Sequence, residues 1–196
     1  MENSIYGTHR PELERIMNGL MQWIDDLRNN IEEQTGMDPV EHCLCRIKAE
    51  ESMREKCRRN GLAETTENAL FEIHDAIGIR VVCAFVDDVY TIRDHLVKFP
   101  GVEIVNEKDY IKKAKPNGYR SLHMILKVNG TYYAEIQLRT ISMDTWAALE
   151  HHLKYKKKIA GRESLIVAEL KRCADELAST DISMQTIRNM IFEESE

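Results

Sequence analysis

The sequence contains no run of apolar residues long enough to cross a membrane. Its 196 residues include no stretch of the roughly 18 apolar residues that a transmembrane helix requires. A secretory hydrophobic segment is also lacking, and the five cysteines are an odd set without the spacing of a disulfide framework. These absences predict a protein of the reducing cytoplasm.

Two common phosphate-binding loops are missing as well. Neither GxxxxGK followed by Ser or Thr nor GxGxxG occurs in the chain. A net charge of -6 disfavours broad electrostatic binding to nucleic acids or anionic membranes. Any bound phosphate must therefore be held by side chains, and the basic residues concentrate in three short stretches. These stretches are residues 46–59, 112–120 and 154–158.

Hydrophobic periodicity predicts an α+β fold. Apolar residues at helical spacing indicate a first helix over residues 11–33, and alternation then indicates a strand over 40–48. Further strands are predicted at 79–85, 121–128 and 131–139, with Asn129-Gly130 as a hairpin turn between the last two. The remaining predicted helices cover residues 52–59, 66–74, a segment starting at 87, 143–157, 163–177 and 183–196.

These elements predict one mixed β-sheet of about five strands with flanking helices and further helices at both ends. Most strands are not joined by regular βαβ units, which argues against a doubly wound dinucleotide-binding fold. We expect an N-terminal helical segment over residues 1–39, a catalytic domain over 40–158 and a C-terminal helical extension over 159–196.

The last predicted strand carries the first candidates for chemistry. Alternation places Glu135, Gln137 and Arg139 on one face, where they could also be nothing more than a solvated surface. Asp75 favours a functional interpretation, because it precedes a neighbouring strand and Gly78 follows to permit close backbone approach. Two carboxylates on neighbouring strands suit Mg²⁺, which takes one or two carboxylates together with substrate phosphates.

Six ordered motifs across residues 40–158 resemble the synthetase domain of the Rel/Spo family, which makes the alarmones ppGpp and pppGpp in the stringent response. The resemblance implies a nucleotidyltransferase-like fold. Long family members also carry hydrolase and regulatory domains, for which this sequence has no room, so we expect a small, stand-alone synthetase. The motifs are Arg46-Ile47-Lys48 with Ser52 and Lys56, residues 74–80, residues 108–111, residues 117–123, residues 135–140, and residues 143–151.

The resemblance implies how ATP would bind. Its adenine would lie between the guanidinium groups of Arg46 and Arg80, since a flat delocalised cation stacks on a base. Asp75 and Glu135 would bind Mg²⁺ as the cofactor. The triphosphate would be held by Lys48, Ser52, Lys56 and Arg59.

It likewise implies how the acceptor, GDP or GTP, would bind and react. Tyr119 would stack on the guanine, and Asp144 would read the edge of that base. The ribose 3′-hydroxyl would attack the β-phosphorus of ATP and AMP would leave. Glu135 would bind the metal, and whether it also accepts the hydroxyl proton is left open; Gln137 would help to orient it. The other candidates for acceptor binding are Lys112, Lys115, Asn117, Arg120 and His123.

Two other functions fit the same residues. A related enzyme could transfer pyrophosphate to an adenine nucleotide or an RNA, because stacking on Tyr119 accepts any purine. A non-catalytic relative could bind nucleotides or RNA without turnover, although it would have no chemical need for both carboxylates. Apolar residues in the C-terminal helices suit either core packing or self-association, and the resemblance favours a homo-oligomer such as a homotetramer.

Overall fold

The computed structural model describes residues 4–156 and 162–193, which form a five-stranded mixed β-sheet with flanking helices. The predicted α+β class is confirmed. No helix in those two ranges combines the length and hydrophobicity needed to cross a lipid bilayer. The strands are β1 Val40–Ile47, β2 Ile77–Cys83, β3 Val102–Asp109, β4 Leu122–Val128 and β5 Tyr132–Thr140, and the main helices are α1 Arg10–Thr35, α2 Glu50–Arg59, α3 Val86–Leu96, α4 Ile141–Lys156 and α5 Glu163–Glu193.

The strands lie in the order β1-β2-β5-β4-β3. The central pair, β2 and β5, is parallel, and the other three pairs are antiparallel. Because side chains alternate along each strand, one face of the sheet collects the apolar residues and the other collects the polar ones. The polar face carries the candidate site.

Helices α1 and α3 cover the apolar face. Leu20 and Ile24 of α1 and Val89, Ile92 and Leu96 of α3 are fully buried, as their helical spacing predicts. Each such side chain stabilises the fold by about 1.5–3 kcal/mol relative to an exposed one. The strand residues in the same core include Ile77, Ile79, Val81, Leu122, Met124, Leu126, Ala134, Ile136 and Leu138.

Residues with positive φ end two of the elements at the predicted positions. Gly36 has a φ of 74° and its N–H donates to the Glu32 carbonyl at 2.7 Å, which ends α1. Asn129 and Gly130 have φ values of 52° and 67°, the conformation that a tight hairpin between antiparallel strands requires. The predicted hairpin turn is therefore confirmed.

The edge strand β3 is not among the four strands whose positions are predicted from the sequence. Its alternation is short, since Val102 and Ile104 are partly buried and a bulge interrupts the pairing between Ile104 and Asn106. The rest of the strand is mostly polar and exposed, and its one further apolar residue, Val105, is exposed as well. An edge strand paired on one side only needs little apolar pattern, so its sequence resembles a loop.

Helix α5 corrects the prediction of two C-terminal helices. Residues 163–193 form one continuous helix through the segment that is predicted as a break. That segment contains Ser and Thr but no Gly or Pro. Thr180 and Ser183 donate to carbonyls four residues earlier, and the buried Asp181 accepts a hydrogen bond from Thr140. These polar residues therefore bond within α5 and to the end of β5, and they do not cap a helix.

Two other boundaries differ from the prediction. The short helical turn before β2 includes a π-helical stretch, Asn68–Glu72. The turn begins one residue after Thr65, whose hydroxyl accepts a hydrogen bond from the Asn68 N–H. The expected boundary of the catalytic domain at residue 158 lies outside the described residues. The first helix shares one core with the sheet, and the three-part division of the chain stays a prediction.

Candidate functional site

The polar face of the sheet brings together candidate residues from four strands. Strand register places directly paired residues side by side on the same face. Two adjacent rows cross β1, β2, β5 and β4 in that order. The first row is Arg46, Gly78, Glu135 and Ile125, and the second is Leu44, Arg80, Gln137 and His123.

A cleft of about 180 Å³ lies over these rows, with Arg46, Arg80 and Glu135 in its wall. Gly78 belongs to its floor. A Cβ built at Gly78 would come no nearer than 3.9 Å to the Arg46 carbonyl oxygen, so no neighbouring strand requires a glycine here, and the expected close approach to this backbone stays a prediction. A side chain at this position would occupy the cleft and would not collide with the protein.

The side of this face nearest β1 and α2 carries mainly charged groups, and we call Arg46, Lys48, Lys56, Asp75 and Arg80 the basic side. Asp75 is buried just before β2. Its Oδ2 lies 2.9 Å from the Lys48 ammonium and 2.5 Å from the Lys56 ammonium. Two ammonium groups therefore share one carboxylate oxygen, while the guanidinium of Arg46 is exposed.

Helix α2 adds an exposed polar face to the basic side. Ser52, Lys56 and Arg59 are spaced at four and three residues, so they share one side of the helix. Met53 and Cys57 on the opposite side are buried. Of the predicted triphosphate-binding residues on α2, Lys56 contacts Asp75 directly. Ser52 and Arg59 lie on the same side of the helix as Lys56.

The side nearest β4 and α4 carries rings and one buried cation, and we call Tyr110, Tyr119, His123, Arg139 and Trp146 the aromatic side. The Tyr119 hydroxyl lies 2.7 Å from Nη2 of Arg139 and 2.7 Å from Nε2 of His123. The rings of Tyr110 and Trp146 approach Tyr119 edge-on, at centroid distances of 6.1 and 6.3 Å. Lys115 places its ammonium 4.6 Å from the centre of the Tyr119 ring.

His123 links the aromatic side to Glu135. Burial first, and then the positive charges of Arg139 and Lys115, lower the pKa of His123 to about 4, so its ring is neutral at pH 7. Arg139 can only donate to the Tyr119 oxygen, which leaves the phenol proton for Nε2 of His123. The proton of the neutral ring is then on Nδ1, which faces the Glu135 Oε1 at 3.8 Å.

Asp144 lies between two arginines. Its Oδ1 accepts from Nη1 of Arg139 at 3.0 Å and lies 3.3 Å from Nη1 of Arg80. The Nε of Arg80 is buried and has no hydrogen-bond partner among the described residues. Asp144 therefore connects the aromatic side to the basic side.

Three predicted acceptor-binding residues have other contacts in this structure. Lys112 is 75% exposed and lies near Asp109 and the ring of Tyr90. Arg120 donates to Asp175 of α5 at 2.9 Å and to the Gly118 carbonyl. Asn117 accepts from the Tyr119 N–H and donates to Glu150 of α4. Asn117 and Arg120 thus hold the loop that presents Tyr119, and Lys112 lies apart from the aromatic side.

The long helix α5 fixes the same loop from outside the sheet. Gly118 has a φ of 92°, and a Cβ built on it would lie 2.6 Å from the Ala174 Cβ and 2.9 Å from the Lys171 Cα. Trp146 donates its indole N–H to the Leu170 carbonyl at 2.8 Å. A glycine is therefore required where the loop meets α5, for conformation and for space.

The buried guanidinium of Arg139 is the main feature of the site to which the sequence assigns no role. Alternation along the strand predicts Arg139 only as a neighbour of Glu135 and Gln137 on one face. An arginine at the end of an otherwise buried strand is itself a signal, because a charge in such a place requires partners. Residue 139 is 5% exposed.

The carboxylates suit a metal ion that substrate phosphates help to hold. Asp75 Oδ1 is buried and has no hydrogen-bond partner among the residues described, and Glu135 is partly exposed on the cleft wall. Within residues 4–156 and 162–193, no three His, Cys, Asp or Glu side chains gather as a protein-only metal site would require. Two carboxylates completed by phosphate oxygens match the ligand preference of Mg²⁺.

An α+β domain whose open sheet face joins carboxylates, arginines, lysines and a tyrosine loop has the features of a nucleotide-binding protein. Residues 45–160, more than half of the chain, match the family model described as "Region found in RelA / SpoT proteins". The chain belongs to the RelA/SpoT family.

The relatives include named enzymes and solved structures. GTP pyrophosphokinase YwaC of Bacillus subtilis is 44% identical over 128 residues, which span 62% of this chain but only 61% of YwaC. Small alarmone synthetase 2 of B. subtilis shares 34% identity and a TM-score of 0.74, over 92% of this chain and 99% of that one. Small alarmone synthetase 1 of B. subtilis, solved with its product pppGpp, shares 27% identity and a TM-score of 0.70, over 92% and 98%.

Proposed function

We propose that this chain is a GTP pyrophosphokinase, which transfers pyrophosphate from ATP to the 3′-hydroxyl of GDP or GTP and releases AMP. The observation that carries the proposal is the position of Glu135, in the middle of the sheet between the basic side and the aromatic side. Family membership and the pppGpp-bound neighbour support the same reaction. The product would be the alarmone ppGpp or pppGpp.

ATP would bind on the basic side. Arg46 and Arg80 lie on neighbouring strands on either side of Gly78, so that an adenine ring could enter between their guanidinium groups above the glycine. The triphosphate would then meet the ammonium groups of Lys48 and Lys56 and the exposed face of α2. Ser52 and Arg59 of α2 would add a hydroxyl and a further cation.

Asp75 and Glu135 would hold Mg²⁺ together with the phosphates of ATP. The bound ion would supply positive charge that offsets the charge developing on the transferred group. Asp75 Oδ1 is free for this purpose while Oδ2 accepts from two lysines, which supports its assignment as a ligand.

GDP or GTP would bind on the aromatic side. The guanine would stack on Tyr119, and Lys115 would move from its place over that ring towards the acceptor's phosphates. His123 and Asp144 lie close enough to Tyr119 to meet the ribose and the base, respectively. Asn117 and Arg120 would contribute by shaping the loop, and Lys112 would reach the phosphates only from the solvent side.

The reaction joins O3′ of the acceptor to the β-phosphorus of ATP. The bond from that phosphorus to the oxygen bridging the α-phosphate breaks, and its electron pair leaves with AMP. The hydroxyl proton would go to Glu135, whose other oxygen accepts a hydrogen bond from the Gln137 amide at 3.1 Å. The Nδ1–H of His123 would help to keep this carboxylate in place.

The test uses ATP labelled in its γ-phosphate, Mg²⁺ and, as acceptor, GDP, GTP, ADP or RNA in separate reactions. We expect the label to move to the guanine nucleotide with one AMP formed for each product molecule. Label transfer to ADP or RNA alone would favour the second function. Binding without any transfer would favour the non-catalytic one, and either result would overturn the proposal.

We also propose that the chain assembles into a homo-oligomer, with a tetramer as the expected form. Leu149 and Leu153 of α4 and Leu165 of α5 are 59%, 61% and 60% exposed, which is a large apolar area for a free monomer surface. Light scattering after size exclusion should give a multiple of the 22.8 kDa chain mass, reduced by Leu149→Glu. A monomeric wild type would contradict the proposed homo-oligomer.

A cytoplasmic location stays a prediction from the sequence.

A further inference from the structure

Arg139 occupies the centre of the hydrogen-bond network on the polar face. It stands near the end of β5, and its guanidinium has four side-chain partners. Burying an arginine this deeply is costly without such partners, so each contact is part of what keeps it there. The acceptor atoms are Ser121 Oγ at 3.4 Å, Asp144 Oδ1 at 3.0 Å, the Tyr119 hydroxyl at 2.7 Å and Gln137 Oε1 at 3.0 Å.

The partners of Arg139 belong to different parts of the site. Tyr119 presents the ring of the aromatic side, and Gln137 donates to the carboxylate of Glu135. One rigid cation therefore connects the surface for the acceptor base to the group next to the attacking hydroxyl. The same Nη2 atom serves both Tyr119 and Gln137, so the two side chains are fixed relative to each other.

Arg139 also determines the direction of these hydrogen bonds. A guanidinium only donates, so the Gln137 oxygen must face Arg139 and the Gln137 nitrogen must face Glu135. Without Arg139 the amide could rotate and turn its oxygen towards the carboxylate, which would repel it. In the same way, the Tyr119 hydroxyl accepts from Arg139 and must direct its own proton to His123.

We propose that Arg139 is the positioning residue that sets the distance between the acceptor nucleoside and Glu135. This inference rests on the proposed pyrophosphokinase function and assigns a role to a residue outside the predicted catalytic and binding set. Arg139 does not need to touch either nucleotide, since it acts through Tyr119 and Gln137. Its removal should therefore change turnover more than nucleotide affinity.

The test is Arg139→Lys, which keeps the charge but offers a single ammonium in place of the planar fork. We expect kcat to fall about a hundredfold, the effect of misplacing a reacting group by roughly 1 Å. The KM for ATP and for GDP should each change by less than about threefold, because the stacking and phosphate-binding groups remain. The matched control is Arg188→Lys, which alters another mostly buried arginine, paired with Asp87 far from the site, and should keep wild-type kcat.

A double-mutant cycle separates positioning from stability. Tyr119→Phe keeps the ring but removes the hydroxyl, so its effect should largely disappear in the Arg139→Lys background if both act through the same bond. Independent effects that multiply, or a kcat within about threefold of wild type for Arg139→Lys, would overturn the proposal.

Folding and function are kept apart by two further measurements. If thermal unfolding shows that Arg139→Lys does not fold, Gln137→Met carries the test, since it removes the amide and leaves Arg139 in place. We expect kcat to fall about tenfold, as for the loss of one hydrogen bond to a charged group, and an unchanged kcat would overturn the role. Wild-type turnover reports on the pyrophosphokinase function: an inactive wild type overturns both proposals, whereas an active wild type with an unaffected Arg139→Lys overturns only the second.

Discussion

The basic side and the aromatic side hold their polar groups in different ways. On the basic side, Lys48 and Lys56 share one oxygen of Asp75, and Arg46 is exposed. Ion pairs between long flexible side chains set little geometry. On the aromatic side, the Tyr119 hydroxyl is connected to Arg139 and to His123 by short hydrogen bonds of fixed direction. The basic side therefore supplies positive charge with little fixed geometry, whereas the aromatic side has its geometry in place before a ligand binds.

The difference agrees with what each nucleotide would need. A triphosphate with its Mg²⁺ brings strong charges that could compete with Asp75 for Lys48 and Lys56, so these lysines need not be fixed in one place beforehand. The acceptor's hydroxyl has no such charge and must be aimed at one phosphorus atom. Aiming requires a surface that is rigid before the substrate arrives.

The largest effect should come from Glu135, where the two sides meet. Glu135→Gln removes the negative charge and the proton acceptor but keeps the size of the side chain. We expect kcat to fall by about a thousandfold, within the range for loss of a general base, with an unchanged unfolding temperature. Steady-state assays and thermal unfolding measure the two quantities. Glu103→Gln on the exposed part of β3 is the control, and comparable activity in the two variants would remove Glu135 from the mechanism.

A glycine substitution tests whether the aromatic side is rigid because α5 supports it. Gly118→Ala places a Cβ within 2.6 Å of the Ala174 Cβ at a φ of 92°. Strained backbone and overpacking should together lower the free energy of unfolding by about 2–4 kcal/mol. Because the loop must shift to relieve the clash, the KM for GDP should rise while that for ATP stays the same. Chemical denaturation and initial rates measure these effects, and equal changes in both KM values would contradict the division into two sides.

The sequence predicts the two sides to different extents, for a physical reason. Alternation along β5 is local, so it identifies Glu135 and Gln137 on one face without any knowledge of the fold. The basic residues of the ATP half also lie close together along the chain. Resemblance to the family then supplies roles that the pattern alone leaves open.

The support of the aromatic side comes from residues far apart in the chain, and it is therefore hidden from local patterns. Gly118 meets Ala174 of α5, and Arg139 meets Tyr119 and Asp144 from other elements. The spacing of these residues along the chain does not predict that they are in contact. The same holds for α5, whose Ser and Thr residues resemble a helix break until Asp181 is seen to be buried against Thr140.

On the basic side, Asp75→Asn tests the claim that charge matters there more than shape. Asparagine has nearly the same size as aspartate but carries no negative charge. The variant therefore loses a metal ligand and leaves Lys48 and Lys56 without the anion that they share. We expect the Mg²⁺ concentration for half-maximal rate to rise about tenfold or more. The KM for GDP should stay within error of wild type. The measurement is a Mg²⁺ titration at fixed nucleotide concentrations. A changed KM for GDP with an unchanged Mg²⁺ requirement would contradict the division into a basic side and an aromatic side.

The smallest effect, and the sharpest contrast with Gly118, is expected for Gly78→Ala. Gly78 lies in a strand, and its nearest neighbour to a new Cβ is 3.9 Å away, so alanine fits without strain. Alanine restricts the unfolded chain more than glycine does, and the free energy of unfolding should rise by up to about 1 kcal/mol.

The added methyl group of Gly78→Ala would occupy the floor of the cleft between Arg46 and Arg80. We expect the KM for ATP to rise about threefold to tenfold, as for a single methyl group in a fitted pocket. Parallel denaturation and ATP titrations of the two alanine variants should then give opposite patterns. Gly118→Ala should lower stability and leave the KM for ATP unchanged, whereas Gly78→Ala should raise stability slightly and weaken ATP binding. A destabilised Gly78→Ala with unchanged ATP kinetics would mean that this glycine serves the fold and that the cleft does not receive the adenine.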